Sequence, residues 1–277
     1  MDKEQTVARH LLEEHAAGAS YRTLEGALAL TDIAEAYRAQ QVFVDLSLKA
    51  RGAAVAGYKI ALTSAAMQAF VGVDHPLLGA ILDDTIQTVS AQTASAEISL
   101  SAFQRVGIEF ELALRLGRPV PPGSYDAESI APFVDAVIPA FELIEDRNAI
   151  YENFDVKSLV ADNAWSGGVV LGEPVTNWRG FDLTSTPTRL ESGGEAEVAT
   201  TGAALGNPLT ALAWAANELS AQGRPLDAGM IVMTGSTLKT RFPGPGEHFL
   251  YDVEGIGSVQ MSTVLCPICV DAAAGRC

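Results

Sequence analysis

Cysteine is nearly missing from this chain: among 277 residues only Cys266, Cys269 and Cys277 carry thiols, all close to the C-terminus. An odd number confined to a tail builds no disulfide framework, which excludes a small stapled secreted fold and points to a cytoplasmic protein. Cys266 and Cys269 have the spacing of a zinc or redox pair. No second ligand pair stands at a suitable distance, so the stretch reads as a strand end running into an Ala/Gly tail. No hydrophobic run approaches the length of a membrane span, and the opening MDKEQTVARHLLEEH lacks the apolar core of a secretory signal.

Positive charge is also scarce. Eighteen Lys and Arg face 34 Asp and Glu, a formal charge of -16. Such a surface repels phosphate backbones and anionic lipid, so neither nucleic acid nor a membrane is an expected partner. A small anionic substrate meets the same repulsion, and an enzyme acting on one needs a local positive centre, either a bound cation or a placed Lys or Arg. The chain has no HExxH, GxSxG or P-loop, and no Gly-rich stretch carries the dinucleotide fingerprint. The four histidines are scattered: His10 and His15 on a surface helix, His75 before a proline, and His248 at a strand start.

What is present is a foldable, apolar chain, 48% hydrophobic and only 19% charged, with no repeat and no linker. Residues 2–18 read as a helix, and Thr31 caps a second one to about Lys49, with Ala34, Tyr37, Val44 and Leu48 as its buried stripe. Residues 54–62 alternate as a strand, with Gly57, Lys59 and Ala61 on one face. A short helix from Ser64 and a loop from Val73 to Gly79 follow. The clearest strand is 106–117, with Val106, Ile108, Phe110, Leu112, Leu114 and Leu116 on one face and Gly107, Glu109, Glu111, Ala113 and Arg115 on the other. Asp126 caps a helix to Val134, a strand covers 137–144, and a loop runs through Asp162-Asn163. Asn207-Pro208 opens a helix closed by Gly223, and strands at 229–235, 247–253 and 258–265 finish the chain, the last two joined at Gly255/Gly257. The division is a helical segment over 1–52, a β-rich body over 53–265 and a tail over 266–277. The class is α+β, on a mostly antiparallel or mixed sheet.

Glu109 and Glu111 project from one strand face beside the small Gly107 and Ala113. Like charges this close repel unless a cation or proton compensates, and hard divalent cations favour carboxylate oxygens. The pair is either a cation site or a solvated face. Glu142 is a lone carboxylate in the apolar Ala140–Ile144, which is either a ligand or an edge position facing solvent. Lys59 is a lone cation in an apolar strand, either snorkelling outward or placed to orient a carboxylate or move a proton. Asp162 to Gly168 and Thr234-Gly235-Ser236 are polar and Gly-rich, each a plain turn or an anion cradle.

In order along the chain, Gly57–Ser64, Gly79–Asp84, Ile108–Glu111, Pro139–Glu142, Asp162–Ala164, Asn207–Leu209 and Gly255–Val259 resemble the 2-oxopent-4-enoate hydratases and the related 4-oxalocrotonate decarboxylases. Both belong to the fumarylacetoacetate hydrolase superfamily. The resemblance covers roughly residues 30 to 262, and seven segments in order make it specific where one would not. It implies a mixed β-roll or barrel behind an N-terminal helical segment, Mg²⁺ or Mn²⁺ as cofactor, a small 2-oxo acid substrate, a homo-oligomer, and an aldolase, hydratase or decarboxylase as pathway partner. By matching position it makes Glu109, Glu111 and Glu142 the metal ligands and Lys59 and Asp84 the catalytic groups. Thr63, Ser64, Asp162, Asn163, Ser166, Gly235 and Ser236 would line the substrate pocket.

The implied activity is hydration of a 2-hydroxy-2,4-dienoate to a 4-hydroxy-2-oxo acid, as in aromatic meta-cleavage, with decarboxylation of an oxalocrotonate as the alternative on the same ligands. Tyr151–Asp155 has a decarboxylase character. C–C hydrolysis fits less well because it calls for a His–Glu pair that the sequence does not present. A non-catalytic subunit is opposed by the complete set of three glutamates and Lys59. Two departures bear on the substrate: Ala61 replaces a glycine usual in the family, and Val106-Gly107 stands where Pro-Arg is common. The second change removes a positive contact or moves it to Arg105.

Overall fold

The computed structural model describes residues 2–153 and 155–265. Cys266, Cys269 and Cys277, and the tail assigned to 266–277, lie outside the described residues.

Two helices open the chain. Helix α1 (Lys3–Ala16) is capped by Asp2, and α2 (Ile33–Arg51) by Asp32, with Gly52 closing it at φ 70°. The sequence assigned the second cap to Thr31. Asp32 takes it because its carboxylate reaches the Glu35 N–H at 2.7 Å, while Thr31 donates its own N–H and hydroxyl back to the Glu35 carboxylate. The buried stripe is rotated from the expected one: Ala36, Tyr37, Ala39, Gln40, Phe43 and Val44 are buried and Ala34 is exposed.

The body is built from β1 (Val55–Ala61), α3 (Ala65–Val71), β2 (Leu77–Leu82), β3 (Ile86–Thr88), β4 (Ala96–Ser99), β5 (Val106–Leu116), α4 (Ala127–Ile130) and β6 (Val134–Glu145). It continues through α5 (Val156–Ala161), β7 (Ser166–Leu171), β8 (Pro187–Ser192), β9 (Glu195–Thr200), α6 (Pro208–Ala221), β10 (Ile231–Met233), β11 (His248–Val253) and β12 (Gly257–Val264). A seven-stranded mixed sheet runs β2-β1-β10-β5-β6-β7-β3 and a five-stranded one runs β4-β12-β11-β8-β9. This is an α+β fold.

Several boundaries differ from the sequence reading for local reasons. The loop assigned to Val73–Gly79 ends at Pro76, because Leu77 and Leu78 already pair with Ala61 and Ile60. The helix from Asp126 stops at Ile130 and tightens into a 3₁₀ turn over Ala131–Phe133, where Pro132 withholds an N–H. The stretch read as a loop before Asp162 holds α5, capped by Asp155. The β8–β9 hairpin has no hydropathy signal because no residue of β9 is buried. Its sign was the Gly193-Gly194 turn, both glycines at positive φ.

The large sheet is curled, and two cores result. Outside it, Phe110 and Phe141 pack edge to face at 5.8 Å and meet Tyr251 of the smaller sheet. Inside it, Ile81, Ala113, Ile138, Ala140, Val169, Leu171, Ile231 and Met233 form a separate apolar cluster. The second face of β5 is thus also enclosed, which is why both faces of so alternating a strand are buried. Asn163 ties the curl together: its amide accepts from Ala80 N–H at 2.7 Å and donates to Ala80 C=O at 2.9 Å, pairing edge strand β2 with the segment that leads into β7. Among the described residues no helix is long and apolar enough to cross a membrane.

Candidate metal centre

Antiparallel pairing of β5 with β6 sets Glu109 directly opposite Glu142, and Glu111 opposite Ala140. Side chains two apart share a face, so all three carboxylates enter the inner side of the curled sheet. One oxygen from each lies within 4.8 Å of the others. Glu111 and Glu142 are fully buried and Glu109 partly so. The solvent-facing alternatives do not hold: Glu142 stands on a central strand at 1% exposure, and Lys59 is buried instead of reaching outward.

Each carboxylate has one hold from a different part of the chain. Gly235 N–H donates to Glu111 Oε2 at 2.8 Å. Lys59, carried in by β1 and paired in register with Met233 of β10, brings Nζ within 2.7 Å of Glu142 Oε1. That contact has ion-pair distance without hydrogen-bond alignment, so among the described residues neither Glu142 oxygen has a hydrogen-bond partner, and Glu111 Oε1 has none either. The Thr240 hydroxyl donates to Glu109 Oε1 at 2.6 Å. Gly235 is obligatory, at φ 102° and with a Cβ position only 2.4 Å from the Thr63 methyl, so Thr63 is pressed against the strap that holds Glu111.

One lysine does not balance three acids. Burial and the Glu142 charge push Glu109 up to about 7, against the pull of Lys59 and the Thr240 hydroxyl. Burial and both neighbouring glutamates hold Glu111 well above the usual carboxylate range. Three convergent carboxylates with orphaned buried oxygens fit a hard divalent cation, which would satisfy those atoms and remove the repulsion.

Sequence-selected residues separate into groups. Glu109, Glu111, Glu142, Lys59, Gly235 and Thr63 come together. Ser64 caps α3, and the Ser236 hydroxyl accepts from Phe110 N–H and donates to Leu238 C=O. Asp84, Asp162, Asn163 and Ser166 instead line a cavity of about 810 Å³ between the N-terminal helices and the roll, whose walls include none of the three glutamates nor Lys59. There Asp84 pairs with Arg51 at 2.7 Å. Asp162 takes His15 Nε2 at 2.6 Å and the buried Arg147 at 2.7 Å. Arg105 is bound bidentately by Asp146 and packs over the rings of Tyr151 and Phe242, its charge already matched. Thr240 and Arg147 escaped the sequence reading, and His15, read there as a surface-helix position, pairs with Asp162; nothing local marks a residue whose partner is so distant in the chain.

Residues 76–264 match the family described as fumarylacetoacetate (FAA) hydrolase, C-terminal. The chain is 32% identical over 259 residues to a 2-keto-4-pentenoate hydratase of Paraburkholderia xenovorans (strain LB400), spanning 93% of this chain and 94% of that one. It is 35% identical over 213 residues to a 4-oxalocrotonate decarboxylase of Pseudomonas putida, spanning 76% and 77% respectively. Among solved structures it resembles 4-oxalocrotonate decarboxylase from Pseudomonas putida G7, complexed with magnesium and adipate. The TM-score is 0.85 at 26% identity, covering 94% of this chain and 97% of that one.

Proposed function

The chain belongs to the fumarylacetoacetate hydrolase family, and from that premise we propose that it is a metal-dependent hydro-lyase. It adds water to a 2-hydroxy-2,4-dienoate, giving a 4-hydroxy-2-oxo acid, with Glu109, Glu111 and Glu142 holding Mg²⁺ or Mn²⁺. The observation that carries this reading is the cluster of buried carboxylate oxygens without hydrogen-bond partners at Glu111 and Glu142. The 2-keto-4-pentenoate hydratase relative, matched along nearly its whole length, supports the substrate class.

When bound, a divalent cation supplies the positive centre that an acidic protein needs for an anionic 2-oxo acid, and it stabilises negative charge developing on the oxo oxygen. The protein's own groups do the rest. Lys59 Nζ, fixed beside Glu142 Oε1, is the group that gives and takes the proton moved between substrate carbons. Ala113, Ala140 and Met233 form an apolar floor that keeps stray water away and strengthens the electrostatics above it. Thr63, packed on Gly235, brings a hydroxyl to the Glu111 side, where it orients the substrate. Asp84 stands outside this proton path, because it is paired with Arg51 beside the other cavity. The assembly is a homo-oligomer, which light scattering on the purified protein checks.

A second reading has specific support: the likeness to the magnesium-bound decarboxylase extends over 94% of this chain. There the electron pair left as carbon dioxide departs would pass to the 2-oxo oxygen, and a cation held by the same three glutamates would stabilise the negative charge formed on it. The test is ultraviolet absorbance of freshly generated 2-hydroxypenta-2,4-dienoate and of an oxalocrotonate, each with Mn²⁺ or EDTA. Metal-dependent loss of the dienoate with a 4-hydroxy-2-oxo acid as product establishes the hydratase. Metal-dependent carbon dioxide release from the oxalocrotonate moves the assignment to decarboxylase, and turnover of neither overturns both.

A further inference from the structure

Beyond the three glutamates, Arg241 forms an antiparallel bridge with Ile108 near the start of β5. Ile108 N–H donates to Arg241 C=O at 2.7 Å, and Arg241 N–H returns to Ile108 C=O at 2.9 Å. In such a pairing the flanking residues face the opposite side from the bonded pair. Thr240 therefore stands beside Glu109, and Phe242 beside Gly107, both on the inner face. The hydroxyl contact at 2.6 Å between Thr240 and Glu109 Oε1 is the result. Gly107 makes the approach possible: a Cβ there would come within 2.9 Å of the Thr240 methyl and 3.2 Å of the Phe242 ring.

We propose that Thr240 is a positioning residue for the cation site: its hydroxyl fixes Glu109 Oε1, leaving Oε2 free of that bond, and Gly107 keeps the space it needs. The proposal rests on the three glutamates holding a divalent cation. Glu111 is held by a backbone N–H and Glu142 by an ammonium group. Glu109 is the most exposed of the three and has three side-chain torsions to order, so without Thr240 that ordering falls on the binding step. The threonine methyl lies toward Gly107, in the space that a Cβ there would take.

The test is Mn²⁺ binding to the full-length, metal-free protein, read by the loss of the free-ion paramagnetic resonance signal. It compares wild type, Thr240→Val and Thr240→Ser. Valine keeps the shape and loses the donor; serine keeps the donor. Outer-shell partners are typically worth 10–100-fold in metal affinity, so Thr240→Val is expected to raise the Kd about tenfold and Thr240→Ser to restore it to within about threefold. Activity measured against Mn²⁺ concentration should shift likewise for the valine variant. A merely structural role would lower the melting temperature in EDTA for both variants without this difference in Kd. Gly107→Ala, which displaces the Thr240 methyl, is expected to weaken Mn²⁺ as valine does.

Wild-type affinity in Thr240→Val overturns the proposal while leaving the cation site intact. Wild-type protein that binds no Mn²⁺ overturns the cation site itself.

Discussion

Glu109 and Glu142 stand directly opposite each other on β5 and β6, two like charges at one cross-strand position. Cross-strand like charges destabilise a sheet, and here the strands are central and the pair enclosed. Glu109→Gln should therefore separate folding from function. In EDTA the variant melts higher than wild type, by about 2–4 °C for each kcal/mol of repulsion relieved. It binds Mn²⁺ weakly and loses turnover. Scanning calorimetry in EDTA with a resonance titration checks both arms, and retained turnover removes Glu109 from the site.

The same crowding predicts a pH dependence. Glu109 sits at about 7 in the metal-free fold, above the ordinary carboxylate value of 4.5 that it regains on unfolding. Between those values the folded state holds more protons than the unfolded one. Its contribution to stability is therefore full below about 4.5 and is lost as pH rises through about 7. The melting temperature of wild type in EDTA, measured relative to Glu109→Gln, should fall across that window. A saturating cation replaces the proton, so Mn²⁺ protection should grow with pH over the same range and binding should release protons to buffer. Parallel melting curves for the two proteins in EDTA would contradict this.

How much of this was legible depends on the length scale of each signal. The shared face of Glu109 and Glu111 was readable because β5 runs eleven residues without a break in period two. Glu142 and Lys59 stood out as single charges in apolar strands. Their meeting across β1, β10, β5 and β6 needed the strand order, which no local pattern encodes. Asp162 and Asn163 were visible as a polar cluster, but their work is set by partners far along the chain. His15 lies 147 residues from Asp162, and Ala80 lies 83 residues from Asn163. Thr240 sat in a stretch with no periodicity, and its place beside Glu109 follows from two backbone hydrogen bonds to Ile108.

Lys59 allows a prediction on chemistry alone. Its ammonium group is buried against Glu142 and is the only cation among the described residues that reaches the glutamates. Lys59→Met keeps the apolar stem and removes the proton carrier. Turnover should drop by about 10²–10⁴-fold, the usual worth of a general acid–base group. Mn²⁺ should still bind, because the three carboxylates remain and one competing cation is gone. Unchanged kcat with saturating Mn²⁺ would take Lys59 out of the proton path.

Arg147 tests whether the N-terminal helices matter to the roll. Its guanidinium is 1% exposed and donates to Asp162 Oδ2 at 2.7 Å, to Glu14 of α1 at 3.2 Å, and to the Ala19 carbonyl at 3.0 Å. Asp162 also takes His15 of α1, so the helix is fastened to the turn at Asn163, Ala164 and Trp165. All three of those residues hold positive φ, a strained conformation for Ala164 and Trp165 that surrounding contacts must enforce. Removing one partner of a buried ion pair costs about 3–5 kcal/mol where the other charge is left uncompensated, an upper bound here because His15 still faces Asp162. Arg147→Met should lose stability on that scale in urea unfolding. Arg147→Met with Asp162→Asn and Glu14→Gln, which leaves no buried charge unpaired, should recover a large part of it. If the loss arises from the freed charges, hydrogen exchange in the single variant should rise first at α1 and at Ala80, whose amide is held by Asn163. Protection unchanged at both places would mean that the helix and the turn are not coupled through Arg147.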